Sequence, residues 1–410
     1  MIMQDNEKKP ALRFKGFTDP WEQRKVGELL TERNEQAPMS DEYPLMAFIA
    51  NEGVAPKGER YDRSALVNDT ASKLYKKTKF GDFIYSSNNL ETGSIGLNKY
   101  GKASISPVYS IFKPTGIADS DFLGRRLIRK DFINEMVKWR QGVIYGQWRI
   151  HESDFIKIEV AVPTVEEQCK LGLLLDNLDT LITLHQRKYE KLVNIKKSML
   201  DKMFPQNGAS VPEIRFKGFT DPWEQRKLGE IAVFSKGVGY SKNDLCEEGT
   251  PIILYGRLYT KYETCIFDVD TFVKEKAGSV YSKGGEVIVP ASGETAEDIS
   301  IASVVVKPGI LLGGDLNIVS PTAEYDSAFL ALTISSGTTH KYLSSLAQGK
   351  SVVHLHNADI QSVSAKFPTK REQEKIHLLF GKIDTLITLH QRKLEKLQNI
   401  KKSCLEKMFV

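Results

Sequence analysis

The stretch Asp179-Thr-Leu-Ile-Thr-Leu-His-Gln-Arg-Lys188 occurs a second time, without change, from Asp384 to Lys393. Each copy lies inside a longer helical pattern that covers residues 164–204 or 369–409. Each pattern opens with a proline followed by Thr-x-x-Glu, which is the signature of a capping box at a helix start. The repeat therefore predicts two helices of roughly 40 residues, each about 60 Å long at about 1.5 Å per residue.

The apolar residues of both helices recur at heptad spacing, and a seam of this kind requires a partner helix. The nearest available partner for each copy is the other copy, so we predict an antiparallel coiled coil. The predicted seam, which is also the candidate surface for docking a partner protein, comprises Leu171, Leu174, Leu178, Leu181, His185, Leu192 and Ile195 in the first helix and Ile376, Leu379, Ile383, Leu386, His390, Leu397 and Ile400 in the second.

Two histidines, His185 and His390, interrupt this seam near the middle of each helix. If the helices pair antiparallel, the two imidazoles should lie close together. They would then hold the helices in register, as polar residues at core positions can. The alternative is that both side chains lie partly exposed beside a surface for another subunit.

A second repeat encloses the first. Arg13-Phe-Lys-Gly-Phe-Thr-Asp-Pro-Trp-Glu-Gln-Arg-Lys25 recurs unchanged from Arg215 to Lys227, and we call these two stretches the frame segments. The chain thus contains two tandem units of about 200 residues, each with a frame segment, a variable domain and a long helix. The predicted boundaries are a first domain with its frame segment at 1–162, a first helix at 163–205, a linker at 206–211, a second domain at 212–367 and a second helix at 368–410.

The two variable domains show β-rich runs mixed with short helical patterns. Each ends in a predicted strand directly before the long helix, at 155–162 and at 363–367. We therefore predict an α+β protein. It has two tandem mixed α/β domains, separated and joined by two long helices that form an antiparallel coiled coil, with a pseudo-twofold internal repeat.

The composition is that of an ordinary globular protein, with 41% hydrophobic residues. No apolar run approaches the roughly 20 residues of a membrane span, and the polar N-terminus lacks the apolar stretch of a signal peptide. The four cysteines form no CxxC pair, so we expect reduced thiols in a cytoplasmic protein without disulfides or zinc. The net charge of +5 is compatible with a polyanionic partner but too small to establish one.

The common catalytic motifs are absent from the sequence, which contains no P-loop, no GxGxxG turn, no HExxH and no GxSxG. His354 and His356 lack a third metal ligand nearby in sequence. Ser292-Gly-Glu-Thr295 is better explained as a turn or a polar contact than as a nucleophile. We therefore predict neither a catalytic residue nor a metal site.

Both domains instead carry polar and basic loops that contain aromatic residues. Lys and Arg neutralise phosphates, whereas Asn, Gln and Arg can form paired hydrogen bonds with base edges. Each loop alone is more readily an ordinary solvated loop, but similar loops recur at matching places, such as Gln141-Gly and Gln348-Gly before the last strand of each domain. The candidate DNA-binding residues are Lys73, Lys76, Lys77, Lys79, Ser87, Asn88, Asn89, Arg140, Tyr145, Gln147 and Arg149 in the first domain and Lys236, Tyr240, Lys242, Tyr255, Arg257, Tyr259, Lys261, Lys350, His354 and His356 in the second.

The helix starts Pro163-Thr-Val-Glu-Glu-Gln168 and Pro368-Thr-Lys-Arg-Glu-Gln373 share a Pro-x-x-x-Glu-Gln motif, and each is followed by Asp-Thr-Leu-Ile. This duplicated pattern resembles the specificity (S) subunit of type I restriction-modification enzymes over essentially the whole chain. The resemblance implies that each variable region is a target-recognition domain for one half of an asymmetric bipartite site in double-stranded DNA. The paired helices would set the spacer between the half-sites and dock two methyltransferase (modification) subunits.

The same resemblance implies that the chemistry belongs to other chains. The methyltransferase subunits would bind S-adenosylmethionine, and restriction subunits that bind ATP and magnesium would join the full complex. This chain would be non-catalytic and carry no cofactor. The variable domains match no motif of the family, so the individual DNA contacts rest on residue type and loop position.

Two other functions fit parts of the pattern. A coiled-coil scaffold could present two modules that bind protein or carbohydrate, and it would show no sequence-dependent DNA binding even with partner subunits. A self-sufficient DNA enzyme would methylate DNA as the purified chain alone, although the absent motifs argue against it.

Overall fold

The computed structural model describes residues 9–56, 73–144, 147–206, 208–349 and 351–410, and the chain divides into two compact units. The first unit comprises residues up to 184 together with 393–410, and the second comprises 185–392. Each unit holds one mixed α/β domain and a part of both long helices.

The elements of the first domain are mostly short, and its last helix is one of the two long ones. The described strands are β1 (Glu22–Lys25), β2 (Leu30–Glu32), β3 (Gln36–Ala37), β4 (Ala47–Ile49), β5 (Gly53–Ala55), β6 (Tyr75–Thr78), β7 (Phe83–Tyr85), β8 (Ile95–Leu97), β9 (Ala103–Ile105), β10 (Ser110–Pro114), β11 (Gln141–Ile144), β12 (Gln147–Arg149) and β13 (Glu159–Val162). The described helices are α1 (Val26–Leu29), α2 (Ser120–Arg126), α3 (Lys130–Lys138), α4 (Glu152–Phe155) and α5 (Val165–Met203).

The second domain is also a mixture of short strands and helices, but its strands form different sheets. Its described strands are β14 (Glu224–Lys227), β15 (Ala232–Lys236), β16 (Leu245–Cys246), β17 (Thr250–Ile253), β18 (Cys265–Ile266), β19 (Phe272–Val273), β20 (Glu286–Pro290), β21 (Ser292–Gly293), β22 (Ser303–Val305), β23 (Leu311–Leu312), β24 (Leu316–Pro321), β25 (Val353–His354) and β26 (Ser364–Phe367). Its described helices are α6 (Leu228–Ile231), α7 (Arg257–Thr260), α8 (Ala296–Ile299), α9 (Ser327–Ile334), α10 (Gly337–Leu346), α11 (Asn357–Ser362) and α12 (Lys370–Lys407), with a 3-10 turn at Lys242–Asp244.

The central sheets of the two domains differ. The first domain has a four-stranded sheet of order β2-β10-β7-β8 and a three-stranded sheet β3-β6-β9. The second has a five-stranded sheet of order β15-β24-β20-β22-β18 and a four-stranded sheet β16-β19-β17-β23. The frame is the same in both, because the frame strand pairs antiparallel with the strand before the long helix, with Glu22 opposite Val162 and Glu224 opposite Phe367.

Each core is completed by aromatic residues of the frame segment and of a helix end. In the first unit the Trp21 ring lies 5.5 Å from that of Phe122 and 6.2 Å from that of Phe409, which follows α12. In the second unit Trp223 takes the same place beside Phe329 and Phe204, which follows α5, at 5.6 and 5.9 Å. The end of one long helix and the beginning of the other are therefore parts of each domain core.

The Glu-Gln pair at the start of α5 ties the helix to the frame segment and to the domain. The Glu167 carboxylate is buried and accepts hydrogen bonds of 2.9 and 2.6 Å from Nε and Nη2 of Arg13. Gln168 accepts the backbone N–H of Asp119, the N-cap of α2, at 3.0 Å and donates to the Pro163 carbonyl at 2.9 Å. The motif thus joins three segments that are distant in sequence.

The start of α12 repeats these contacts. Glu372 accepts two hydrogen bonds of 2.7 Å from Arg215, and Gln373 accepts the N–H of Asp326, the N-cap of α9, at 2.9 Å. The glutamates that the sequence pattern assigned to capping boxes therefore have their carboxylates bound to arginines of the frame segments. The physical reason is burial, since a carboxylate removed from water requires a cation more than a neutral amide.

The two long helices pack together as an antiparallel pair, as predicted. In the first unit Asp179 pairs with Lys401 at 2.6 Å, and in the second unit Lys196 pairs with Asp384 at 2.5 Å. These two ion pairs are equivalents in the internal repeat. The expected proximity of His185 and His390 is confirmed, because their Nδ1 atoms lie 2.8 Å apart and form a hydrogen bond.

The predicted seam is confirmed in one of its two series of positions and only in part in the other, where Leu174 and Leu379 are half-buried and pack against the domain cores. Leu171, Leu178, Ile376 and Ile383 are buried as expected. Four residues assigned to the second series instead face outward, namely Leu181 (43% exposed), Ile195 (37%), Leu386 (43%) and Ile400 (40%). The second series lies one residue later, at positions that are buried or half-buried: Leu175, Ile182, Tyr189, Lys196 and Met203 in α5, Phe380, Ile387, Leu394 and Lys401 in α12, and Met408 directly after α12.

The error has a simple cause. An apolar stripe advances alternately by three and four residues, and the run Leu173-Leu-Leu175 fits either order. The first step from Leu171 is four residues rather than three, which turns the whole second series by one position around the helix.

A histidine contact in the second unit depends on pH. The Nδ1 of His377 in α12 lies 2.9 Å from Oδ1 of Asp326, and this carboxylate raises the pKa of the imidazole above its ordinary value of 6.5. A raised pKa stabilises the folded state fully below the unfolded value, and this stabilisation is lost as the pH rises through the folded pKa. We expect His377→Ala to lower the free energy of unfolding by up to about 1 kcal/mol near pH 6 and by less near pH 9. Urea denaturation at both pH values measures this, and an equal loss at both would contradict it.

Candidate nucleic-acid interface

The structure brings two candidate loops of the first domain together. The Arg140 guanidinium donates to the Ser87 carbonyl at 3.2 Å and forms two hydrogen bonds of 2.7 Å with Glu91. The Ser87 hydroxyl accepts the N–H of Ile150 at 3.0 Å, while Asn88 next to it is exposed. The loop after β7 and the hairpin formed by β11 and β12 are therefore one surface, and Arg140 stabilises it with its charge already paired.

The β11–β12 hairpin presents the most accessible side chains of this surface. Gln141 is paired opposite Arg149 in the hairpin, and its amide donates to Asp154 at 2.8 Å. The Arg149 side chain is 66% exposed, with the nearest carboxylate oxygen, of Glu152, 3.9 Å away. Trp148 is also exposed. Asn89 is exposed on the adjoining loop, and Tyr145 and the side chain of Gln147 lie outside the described residues.

Part of the basic run at residues 73–79 is buried, whereas the predicted DNA contacts require exposed side chains. Lys76 and Lys77 lie in β6 and are only 7% and 4% exposed. The Lys77 ammonium donates to the Pro38 carbonyl at 2.5 Å and to the Ser104 hydroxyl at 2.9 Å, so it is a structural cation. A buried ammonium cannot reach a phosphate without losing these bonds, and only Lys73, which is exposed, and Lys79, which is half-buried, retain the predicted access.

Lys77→Ala tests this correction. We expect it to lower the free energy of unfolding by about 2 kcal/mol, because two buried acceptors lose their donor. DNA affinity should keep its dependence on salt concentration, measured by titration at several salt concentrations. Lys73→Ala is the matched control and should leave stability unchanged. If Lys77→Ala instead reduced the salt dependence without loss of stability, Lys77 would contact a phosphate, as the sequence predicted.

The second domain also assembles candidate loops from separate parts of the chain. Tyr255 lies just before α7 and Tyr259 lies within it, and their ring centroids are 6.3 Å apart. Burial is the main cause that raises the pKa of the Tyr259 hydroxyl, and the nearby Tyr255 adds to it. Strand β25 pairs with β21, which places His354 opposite Ser292. The His354 and His356 rings are 6.4 Å apart and stacked, and both side chains are exposed.

Other candidates of the second domain have structural roles. Tyr240 is buried, and its hydroxyl is 2.6 Å from Ser279 Oγ and accepts the Lys276 N–H at 2.6 Å, so this hydroxyl is already hydrogen-bonded inside the domain. Arg257 pairs with Glu263 at 2.6 Å and with Asp270 at 2.9 Å, which neutralises it. Lys261 pairs with the same Asp270, whereas Lys236 and Lys242 are exposed, and Lys350 lies outside the described residues.

The long helices carry an outward apolar stripe that the heptad assignment missed. Its exposed members are Leu173, Leu181 and Leu184 in the first unit and Leu378, Leu386 and Leu389 in the second, and each leucine has its equivalent in the other copy. Exposed leucines that share one face of a helix are a candidate surface for another macromolecule. The signal was present in the sequence, since these leucines are repeated although the seam does not use them.

Within the described ranges, no group of three or more His, Cys, Asp or Glu side chains could hold a metal ion. In the same part of the chain, no helix is long and apolar enough to cross a membrane.

Comparison with known proteins agrees with this architecture. Residues 220–399 match the family model described as the type I restriction modification DNA specificity domain. The chain is 22% identical to the specificity subunit of the type I restriction enzyme MjaVIII from Methanocaldococcus jannaschii, over 98% of this chain and 95% of that protein. The crystal structure of a type I restriction-modification S subunit from M. genitalium has a similar fold, with a TM-score of 0.56, 14% identity, and coverage of 98% of this chain and 99% of that chain.

The α+β fold class predicted from the sequence is confirmed, because the chain shares its fold with that S subunit structure. The resemblance inferred from the repeated Pro-x-x-x-Glu-Gln motif is confirmed as well.

Proposed function

We propose that this chain is the DNA sequence-specificity subunit of a type I restriction-modification complex. Each domain recognises one half of an asymmetric bipartite site in double-stranded DNA. The observation that carries the proposal is a duplicated frame, with the same arginine–glutamate pair and the same aromatic triad, that holds two unlike exposed surfaces. Equal frames with unequal surfaces suit two different half-sites at a fixed separation.

The helices provide the other part of this proposal. The antiparallel pair sets the spacer between the half-sites, and the two equivalent leucine stripes dock two methyltransferase subunits. Two copies of one partner require two similar surfaces, and repeated leucines provide them. The methyltransferase subunits bring S-adenosylmethionine, restriction subunits bring ATP and magnesium, and this chain is non-catalytic.

The test is to co-express the chain with its methyltransferase subunit and to map adenine methylation across the host genome. We expect a split motif, with two short unlike half-sites around a fixed unspecified gap. Replacing residues 28–160 with the corresponding domain of another specificity subunit should change one half-site only. Absence of any motif from a well-assembled complex would contradict the proposal and favour a scaffold that presents protein- or carbohydrate-binding modules.

A further inference from the structure

The two domains share one exposed element although their central sheets differ. The first domain has the β11–β12 hairpin, with Gln141 opposite Arg149. The second has a smaller hairpin in which Gln348 and His354 exchange two backbone hydrogen bonds of 3.0 and 2.7 Å. Each is followed by a short helix, α4 or α11, and then by the strand that leads into the long helix.

A glycine with a positive φ follows the glutamine in both hairpins, and in the first it lies at the irregularity of β11 between Gln141 and Ile144. Gly142 has a φ of 38° and Gly349 a φ of 138°. A Cβ atom on Gly349 would lie 2.0 Å from the Val352 carbonyl oxygen, so no larger residue fits there. The Gln-Gly pair noted in the sequence therefore marks the same structural element in both domains.

Both hairpins are held firmly at their base. Ile150, directly after Arg149, is buried, and its carbonyl accepts a hydrogen bond of 3.3 Å from the buried Tyr85 hydroxyl. Leu355, directly after His354, is buried, and its carbonyl accepts a hydrogen bond of 2.8 Å from the buried Asn317 amide.

Arg149 and His354 thus occupy equivalent positions, each exposed and each directly before a fixed core residue. A backbone that is already fixed loses little further freedom on binding, which lowers the cost of a selective contact. The other arginine of the first surface, Arg140, already has its charge paired with Glu91 at 2.7 Å. Among the described residues, Arg149 has a single ion pair, with Glu152 at 3.9 Å, and its guanidinium is 66% exposed and accessible to a base edge.

We infer that these hairpins are the elements that contact the bases, and that Arg149 and His354 determine one base position in each half-site. The inference rests on the proposed function and assigns its specificity to two named side chains. A two-stranded β-ribbon fits the major groove of B-DNA, where a guanidinium can form two hydrogen bonds with one guanine. A different residue at the equivalent place, His354, accounts for a different preference in the other half-site.

The test uses the full chain assembled with its methyltransferase subunit and a pool of DNA duplexes randomised across both half-sites. Bound duplexes are sequenced for the unmodified protein, for Arg149→Ala and for His354→Ala. We expect each substitution to reduce the preference at one base position by about tenfold and to leave the other half-site unchanged. Lys138→Ala and Lys341→Ala, on exposed positions of α3 and α10, are controls for loss of a surface charge and should preserve both preferences.

Arg149→Lys separates base recognition from phosphate contact. Lysine keeps the charge but lacks the planar fork of arginine, so the base preference should fall while overall affinity is largely retained. Equal weakening for all sequences by Arg149→Ala, or full preference retained by both alanine variants, would overturn the inference and leave the proposed function intact. No sequence preference in the unmodified complex would overturn both.

Discussion

Glu372→Gln is expected to lower the free energy of unfolding of the second unit by about 3 kcal/mol. Glu372 is fully buried, and both its carboxylate oxygens accept hydrogen bonds from Arg215, whose side chain is only 11% exposed. The hydrogen bond to Glu372 also raises the pKa of Arg215, so the arginine stays charged. Glutamine preserves the size of the side chain and removes the negative charge, which leaves a largely buried cation without its counterion.

Hydrogen exchange of the first turns of α12, together with thermal unfolding, measures this loss. The matched control is Glu374→Gln, because Glu374 is exposed on the same turn and should change stability by less than about 0.5 kcal/mol. The equivalent substitution Glu167→Gln should cost less, since Arg13 keeps a further acceptor in the Asp19 carbonyl at 2.6 Å. Equal stability of Glu372→Gln and Glu374→Gln would show that the Arg215–Glu372 ion pair does not stabilise the start of α12.

Leu178→Asp is expected to destabilise the first unit by at least about 3 kcal/mol. Leu178 is 7% exposed and belongs to the core that also contains Phe409 and Cys404 near the end of α12. A carboxylate at this position would be taken out of water without a partner, and the volume of the leucine would be lost as well. In a urea titration the first unit should unfold at a lower urea concentration than in the unmodified protein. The end of α12 should also exchange its amide hydrogens faster.

Leu181→Asp is the comparison that distinguishes the seam from the outward stripe. Leu181 is 43% exposed, so the aspartate remains solvated and the first unit should keep its stability. Binding of the methyltransferase subunit, measured by co-purification and titration, should weaken by at least about tenfold if this leucine docks it. Leu386→Asp should do the same in the second unit. Strong destabilisation by Leu181→Asp would mean that the heptad prediction, and not the structure, describes the seam.

The candidate DNA contacts show why residue type alone predicts a site poorly. Lys77 and Arg149 both carry a positive charge in a loop-rich region, yet one ammonium is bonded inside the domain and the other cation is accessible. The difference arises from the pairing of β6 with β9 across residues that are far apart in sequence. No local pattern in the run around Lys77 contains that information.

The sequence by itself determined the tandem organisation, the two long antiparallel helices and the relation to specificity subunits. These conclusions follow from identity between distant copies and from apolar periodicity, both of which can be read along the chain. Only the tertiary structure decided which face of each helix is buried, that Glu167 and Glu372 bind arginines, and which basic residues remain accessible. Those properties depend on contacts between segments that are distant in sequence, such as the 27 residues between Lys77 and Ser104 and the 154 between Arg13 and Glu167. There the partner of a side chain, and not its type, determines whether it is buried, paired or accessible.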